Sequence, residues 1–147
     1  MVIEKIDHIG IRVANIKRSI EFYKKLGFKV LKRNQLDKVV IMKNYTDVEI
    51  NLIYNANNPE GDHNILMDIE TKYPGFTHAA LRVSSVSETI KTLKAKNIKI
   101  TQGPVSFGET GEISVFVRDP DRNTLELRGH AEEKERIEGL DLYDPKE

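Results

Sequence analysis

The chain repeats itself, and the repeat limits the folds open to it. When Ile6 to Val30 is laid over Phe76 to Ile100 without gaps, His8 falls on His78, Arg12 on Arg82 and Val13 on Val83. Ile20 then falls on Ile90, Lys24 on Lys94 and Lys29 on Lys99, with conservative pairs such as Ile11 and Leu81 between them. A second block aligns with five more residues of offset: Val40 meets Val115, Lys43 meets Arg118, Ile50 meets Leu125 and Leu52 meets Leu127. Only a loop length separates the two offsets. The reading is two copies of one unit, residues 2–55 and 74–129, joined by a linker over 56–73 and followed by a charged tail over 130–147.

Each copy opens with a strand in which apolar Ile9, Ile11 and Val13 alternate with His8, Gly10 and Arg12; the second copy has Ala79, Leu81 and Val83 against His78, Ala80 and Arg82. A helix follows in each. Asn15 caps the first, Ile16, Ile20, Tyr23 and Leu26 recur at helical spacing, and Gly27 ends it. Ser85 and Glu88 have the spacing of a capping box, with Val86, Ile90 and Leu93 on the buried face and Asn97 at the end. Three β runs complete each copy, over 28–33, 37–43 and 48–54, then 98–101, 113–118 and 124–128. Asp119-Pro120-Asp121-Arg122-Asn123 reads as a turn. The unit is β-α-β-β-β used twice, an α+β fold of mostly antiparallel sheet with the helices on its outer face. Residues 1–129 form a single domain in this reading. The linker, rich in Asn, Asp, Pro and Gly, reads as loop with Ile65, Met67 and Ile69 packing down, and Glu132 to Leu140 has the pattern of a short helix. The stretch Gly103 to Gly111 has the glycine content of either a flap or a hairpin connection.

A period of two sorts side chains by face. One face of the opening and closing strands holds only Ile9, Ile11, Val13, Ile50, Leu52, Ala79, Leu81, Val83, Leu125 and Leu127. The other holds His8, Gly10, Arg12, Glu49, Asn51, Ile53, His78, Ala80, Arg82, Thr124, Glu126 and Arg128. A polar face may simply meet water in an antiparallel sheet. Against that, the two histidines occupy equivalent places beside small residues, and Asn51 and Glu126 are likewise equivalent. Two imidazoles and a carboxylate meeting near a pseudo-two-fold axis would make a site for Fe, Ni, Co, Zn or Mn. Asn51 would add an amide oxygen as a fourth ligand, or hydrogen-bond a ligand from behind.

Composition closes other routes. The chain has 147 residues, 39% hydrophobic and 31% charged, enough apolar mass for a core. Lys plus Arg and Asp plus Glu number 23 each, so no electrostatic footprint points to nucleic acid or an acidic membrane. There are no cysteines, which excludes disulfides and thiolate sites and leaves a cytoplasmic location as the expectation. No apolar run approaches the roughly 20 residues of a bilayer span, and the first residues lack the shape of a signal peptide.

The segments Ile6-Asp7-His8-Ile9-Gly10-Ile11-Arg12-Val13, Phe22-Tyr23-Lys24-Lys25-Leu26-Gly27-Phe28, Phe76-Thr77-His78-Ala79-Ala80-Leu81-Arg82-Val83 and Val117 to Leu127 resemble the vicinal oxygen chelate superfamily. That group holds glyoxalase I, methylmalonyl-CoA epimerase, fosfomycin-resistance proteins, extradiol dioxygenases and bleomycin-resistance proteins. The resemblance covers roughly residues 3–129 and is most specific at the Asp-Pro-Asp turn before Glu126. It implies paired β-α-β-β-β units forming a cupped sheet around one divalent ion. It also implies His8, His78 and Glu126 as metal ligands, and a homodimer in which the site is often completed between subunits. Asn51 stands where glyoxalase I carries a glutamate ligand and the epimerase a glutamine. Asparagine has no basic group, so true glyoxalase I chemistry is not expected and proton movement falls to Glu126, Glu49 or metal-bound hydroxide.

The resulting expectation is a metal-dependent lyase or isomerase that chelates two adjacent oxygens of a small molecule, with Glu126 catalytic. Arg12, Arg82 and Arg128 on the same face would bind a carboxylate or phosphate of the substrate, or else form internal ion pairs with Glu49 as one partner. The alternatives are an Fe(II) extradiol-type dioxygenase on the two-histidine-one-carboxylate set, thiol transfer as in fosfomycin resistance, and a metal-free binding protein of the bleomycin-resistance kind. Tyr54 and His63 are the acid–base candidates for the dioxygenase. His63 and His130 otherwise read as solvated side chains, and Phe22 and Tyr23 as helix packing.

Overall fold

The computed structural model describes residues 1–57, 63–107, 110–130 and 137–142. The elements run β1 (Ile9–Arg12), α1 (Ile16–Lys25), β2 (Lys29–Asn34), β3 (Val39–Lys43), β4 (Glu49–Ile53), β5 (His78–Arg82), α2 (Val86–Ala95), β6 (Ile100–Ser106), β7 (Ile113–Arg118), β8 (Thr124–Gly129) and β9 (Asp141–Leu142). This is an α+β chain in which β-α-β-β-β occurs twice. It divides into two compact units, Met1–Glu70 with Asp119–Asn123, and Thr71–Arg118 with Thr124–Glu147. Among the described residues, no helix is long and apolar enough to cross a membrane.

Each unit has its own sheet, ordered β1-β4-β3-β2 in the first and β5-β8-β7-β6-β9 in the second. Neighbours are antiparallel except β1 with β4, β5 with β8, and β6 with β9. The parallel pairs follow from the repeat, because each opening strand is carried over by a helix before the closing strand returns beside it. The alternation seen in the sequence is the alternation of burial along β1, β3, β4 and β5, whereas β7 and β8 are buried on both faces. Ile11, Val13, Val40, Met42, Ile50 and Leu52 are buried with Ile20 and Tyr23 of α1, and Val115, Val117, Leu125 and Leu127 with Val86 and Leu93 of α2.

The helices begin and end as their residues require. Asn15 Oδ1 accepts from Arg18 N at 3.1 Å, and Ser85 Oγ accepts from Glu88 N at 3.2 Å, so each cap satisfies a first-turn donor. Gly27 and Asn97 sit just past the two ends with φ of 95° and 55°, and the next residue in each donates back to Tyr23 O or Leu93 O. Glycine and asparagine are the residues that adopt this left-handed conformation most readily.

The turn before each closing strand is also built twice. Asn44 Oδ1 accepts from Thr46 N and Val48 N, as Asp119 Oδ1 accepts from Asp121 N and Asn123 N. Asp47 and Arg122, at matching places, both have positive φ. The second turn is anchored further: Tyr23 Oη donates to Asp119 Oδ2 at 2.9 Å, while Ala14 N donates to Asp121 Oδ1 at 2.9 Å and Arg18 Nη2 at 3.1 Å. Burial of Asp119 is the main influence on its carboxyl and raises it above the usual range, against the hydrogen bonds from Asn123 and Tyr23. Tyr23 is therefore a packing residue with a polar anchor, and Phe22 stacks edge-on against it.

Two sequence expectations need correcting, and a third falls largely outside the described residues. The strand expected over 98–101 is β6 and runs on to Ser106, so the first part of the glycine-rich stretch is strand, and beyond it Phe107 N donates to Glu112 O and Gly111 N to Phe107 O. Gly103, with φ of 88°, lies where the register shifts, and a Cβ there would meet Ser114 O at 2.5 Å. The helix expected over Glu132 to Leu140 falls largely on residues 131–136, outside those described; beyond it a turn leads into β9, which the sequence pattern does not announce. In the linker, Asn64 closes a turn over Leu66 and Met67, and Asp68 pairs with Arg122, while Ile65 stays exposed.

Candidate metal centre

The strand registers place the chemistry-bearing residues on one face within each unit. In the second unit His78 pairs with Thr124, Ala80 with Glu126 and Arg82 with Arg128, and β7 adds Ser114 opposite Arg128 and Phe116 opposite Glu126. In the first unit Gly10 pairs with Asn51 and Arg12 with Ile53, which sets His8 beside Glu49 one step earlier.

Two of the three expected ligands meet in the second unit. His78 Nε2 lies 3.0 Å from Glu126 Oε2. Its Nδ1 is engaged by Thr77 Oγ1 at 2.8 Å, and its ring stands edge-on to Phe116. Glu126 is buried, 4% exposed, and its other oxygen takes hydrogen bonds from Ser114 Oγ and from Arg128 Nη1 at 3.0 Å. Burial works to raise this carboxyl, but the hydrogen bonds of Ser114 and Arg128, and then the charges of Arg128 and His78, hold it below its ordinary value. Glu126 is thus kept ionised with one oxygen fixed and the other turned to the histidine.

His8 belongs to the first unit. Its Nδ1 lies 2.8 Å from Asp7 Oδ1, which lowers the Asp7 carboxyl through that hydrogen bond. An ionised carboxylate only accepts, so Nδ1 of His8 is the donor of this pair, and Nε2 is the nitrogen left for a ligand role. Thr77 occupies before His78 the place that Asp7 occupies before His8. Glu49 completes a group with Asp7 and His8 in which ligand atoms lie within 4.8 Å of one another.

Both halves fit a divalent ion on chemical grounds. Two atoms bound cis to one ion at about 2.1 Å each stand about 3 Å apart, which is the His78–Glu126 separation. Asn51 Oδ1 and Thr124 Oγ1 are buried and lack a hydrogen-bond partner among the described residues, as acceptors held for something further would be. Imidazole nitrogen with carboxylate oxygen suits Fe, Ni, Co, Zn or Mn.

The arginines divide. Arg82 and Arg128 both clasp Glu112, with Arg82 Nη2 to Oε1 at 2.6 Å and Arg128 Nε to Oε2 at 2.8 Å, and these hydrogen bonds lower the Glu112 carboxyl. Their ion-pair partner is Glu112 and not Glu49, whose ion-pair neighbour is Lys43 at 3.8 Å. Arg128 also lies over the Phe107 ring at 5.6 Å. Arg12 donates through Nε to Asn55 Oδ1 at 3.0 Å and is exposed. His63 and His130 are exposed side chains. Glu112, Ser114, Phe116, Asp7 and Thr77 are the site residues that sequence reasoning missed. Sorting β7 by parity would have found the first three, and inspecting the residue before each histidine the other two.

A family model described as the Glyoxalase/Bleomycin resistance protein/Dioxygenase superfamily matches residues 5–127. A virulence protein of Salmonella typhimurium is 32% identical over 135 residues, covering 86% of this chain and 85% of that protein. A lactoylglutathione lyase of Escherichia coli O157:H7 is 28% identical over 143 residues, covering 90% and 96%. This chain spans only 34% of the length of a probable chloroplastic lactoylglutathione lyase of Arabidopsis thaliana, at 29% identity. Among solved structures, a glyoxalase family protein from Enterococcus faecalis aligns with a TM-score of 0.71 at 27% identity, covering 87% of this chain and 99% of that one.

Proposed function

Because the chain belongs to the glyoxalase/bleomycin resistance protein/dioxygenase superfamily, we propose that it is a divalent-metal-dependent enzyme of the lyase or isomerase type, acting on a small oxygenated molecule. His8, His78 and Glu126 are the proposed ligands, from one chain or from two. The observation that carries the reading is the His78–Glu126 pair: an Nε2 at 3.0 Å from a buried, ionised carboxylate, with Nδ1 already engaged.

A bound ion would supply Lewis-acid stabilisation of negative charge on a substrate oxygen. The protein's own groups do the rest. Asp7 and Thr77 fix the two imidazoles by Nδ1. Ser114 and Arg128 hold Glu126 Oε1, which leaves Oε2 as the oxygen open to an ion or, when not bound to it, to a substrate proton. Asn51 has no basic atom, so its unpartnered carbonyl serves as a fourth ligand or hydrogen-bonds what binds, and lactoylglutathione lyase activity is not the activity proposed. Arg12 is the arginine best suited to an anionic group of the substrate, since only its Nε hydrogen-bonds among the described residues. Arg82 and Arg128 would first have to leave Glu112.

A cytoplasmic homodimer is part of the same proposal. Ile3 and Ile6 before β1, and Tyr73 and Phe76 at the matching places before β5, are 82%, 82%, 59% and 96% exposed, so each unit carries exposed apolar side chains suited to a second copy.

The test is metal analysis of protein purified without oxygen, followed by assays with α-oxygenated substrates and oxygen uptake with catechols. One ion per chain, lost in His8→Ala, His78→Ala and Glu126→Gln, with isomerase or lyase turnover and no oxygen uptake, is the expected result. Oxygen uptake by the iron form would replace the reading with the dioxygenase. Failure of every ion to bind the folded chain would replace it with a binding protein.

A further inference from the structure

The two units carry their carboxylates at different places. Counting from the repeat, Thr124 and Glu126 of β8 correspond to Glu49 and Asn51 of β4. The second unit therefore has a hydroxyl and then a carboxylate; the first has a carboxylate and then an amide. Both residues of each pair lie on the histidine's face. Resting on the metal-centre reading, we propose that Glu49 is a ligand of the ion held by His8, the first unit's carboxylate donor displaced by two residues along β4.

Four observations support this. Glu49 and His8 are register neighbours on parallel strands, and their donor atoms lie within 4.8 Å. The Glu49 side chain is 20% exposed, partly withdrawn from water, yet its ion-pair neighbour among the described residues is Lys43 at 3.8 Å. That is too long for a hydrogen bond, and Lys43 stands equally far from Asp47. Asp7, the other carboxylate of the group, is already engaged by His8 Nδ1. Finally, two neutral imidazoles and Glu126 leave a divalent ion with one uncompensated positive charge, and a second carboxylate removes it. The Asn51 amide carries no charge and cannot do so.

The experiment is titration with Co(II), followed by calorimetry and by visible absorption, of the wild-type chain and of Glu49→Gln, Glu49→Asp, Asn51→Ala and Glu126→Gln. Folding of each metal-free variant is checked by circular dichroism. Glu49→Gln is expected to weaken Co(II) binding by at least about tenfold and to alter the absorption bands, with Glu49→Asp recovering part of both. Asn51→Ala, which removes an amide oxygen but no charge, is expected to weaken binding less than Glu49→Gln does. Unchanged affinity in Glu49→Gln, or weaker binding with an unaltered spectrum, overturns the Glu49 assignment while a loss in Glu126→Gln keeps the metal centre. Wild-type protein that binds no Co(II), or Glu126→Gln that binds as wild type does, overturns the metal-centre reading and the assignment with it.

Discussion

Away from the opening strands, the same face is half-open in one unit and mostly closed in the other, while on β5 His78, Ala80 and Arg82 stay exposed. Along β4 the face residues Glu49, Asn51 and Ile53 are half-buried, whereas in the second unit Ser114, Phe116, Thr124 and Glu126 are all buried. Two phenylalanines account for much of the difference. Phe116 lies edge-on to His78 and Phe107 stands against Phe116, with Arg128 over its ring. A carboxylate under such cover must be paired, and Glu126 is, by Ser114, Arg128 and His78. Glu49, in the more open half, has a loose partner only. One ancestral pattern thus gives a preorganised half and a half whose donors are left for whatever binds.

The comparison can be broken by making the halves alike. Glu126→Asn gives the second unit the residue of the first, and is expected to lower metal affinity about a hundredfold, at the upper end for lost support of a metal site. Asn51→Glu does the reverse and is expected to tighten binding. Equilibrium dialysis with Co(II) reads both, and equal affinities across the set would erase the distinction.

Smaller effects are expected in stability, where Tyr23 of the first unit holds the buried Asp119 by a hydrogen bond. Asp119→Asn loses acceptors for Asp121 N, Asn123 N or Tyr23 Oη and is expected to cost about 1–3 kcal/mol in urea denaturation. The deficit should depend on pH. The Asp119 carboxyl is raised in the folded chain, mainly by burial, so folding binds a proton more tightly there. The wild type then loses stability relative to the variant as pH rises from the usual aspartate value of 3.8 through the folded value, and the deficit shrinks. A deficit that grows over that range would contradict this sign. Tyr23→Phe leaves the buried Asp119 short of one donor and is expected to cost about 1 kcal/mol, whereas its counterpart Leu93 has no such bond to lose. Gly27→Ala meets no atom within 4 Å, so its expected cost, about 1 kcal/mol, is that of the left-handed backbone alone. Asn97→Gly at the matching place should stabilise by under about 1 kcal/mol.

Much of the fold was legible because its signals are local or periodic. Period two placed His8, Gly10 and Arg12 on the face of Asn51, and the register agrees. The caps at Asn15 and Ser85 were legible because a side-chain oxygen reaches only its own first turn. The missing parts depend on distant chain. β9 is two residues long and exists by pairing with β6, so no pattern of its own reveals it. Gly103 read as loop although the close approach of Ser114 O is what requires glycine in that strand. At the site, the faces were legible but the partners were not. Which carboxylate Arg82 and Arg128 share depends on Glu112 at the mouth of β7, across the hairpin and not along it.

The most direct measurement is a crystal structure of the Co(II)-loaded protein in its natural assembly. The account predicts one ion with His8, His78, Glu126 and Glu49 within bonding distance, the histidines coordinating through Nε2 with Nδ1 on Asp7 and Thr77. An ion held by other side chains, or His78 and Glu126 still bonded to each other with no ion between them at saturating cobalt, would contradict it.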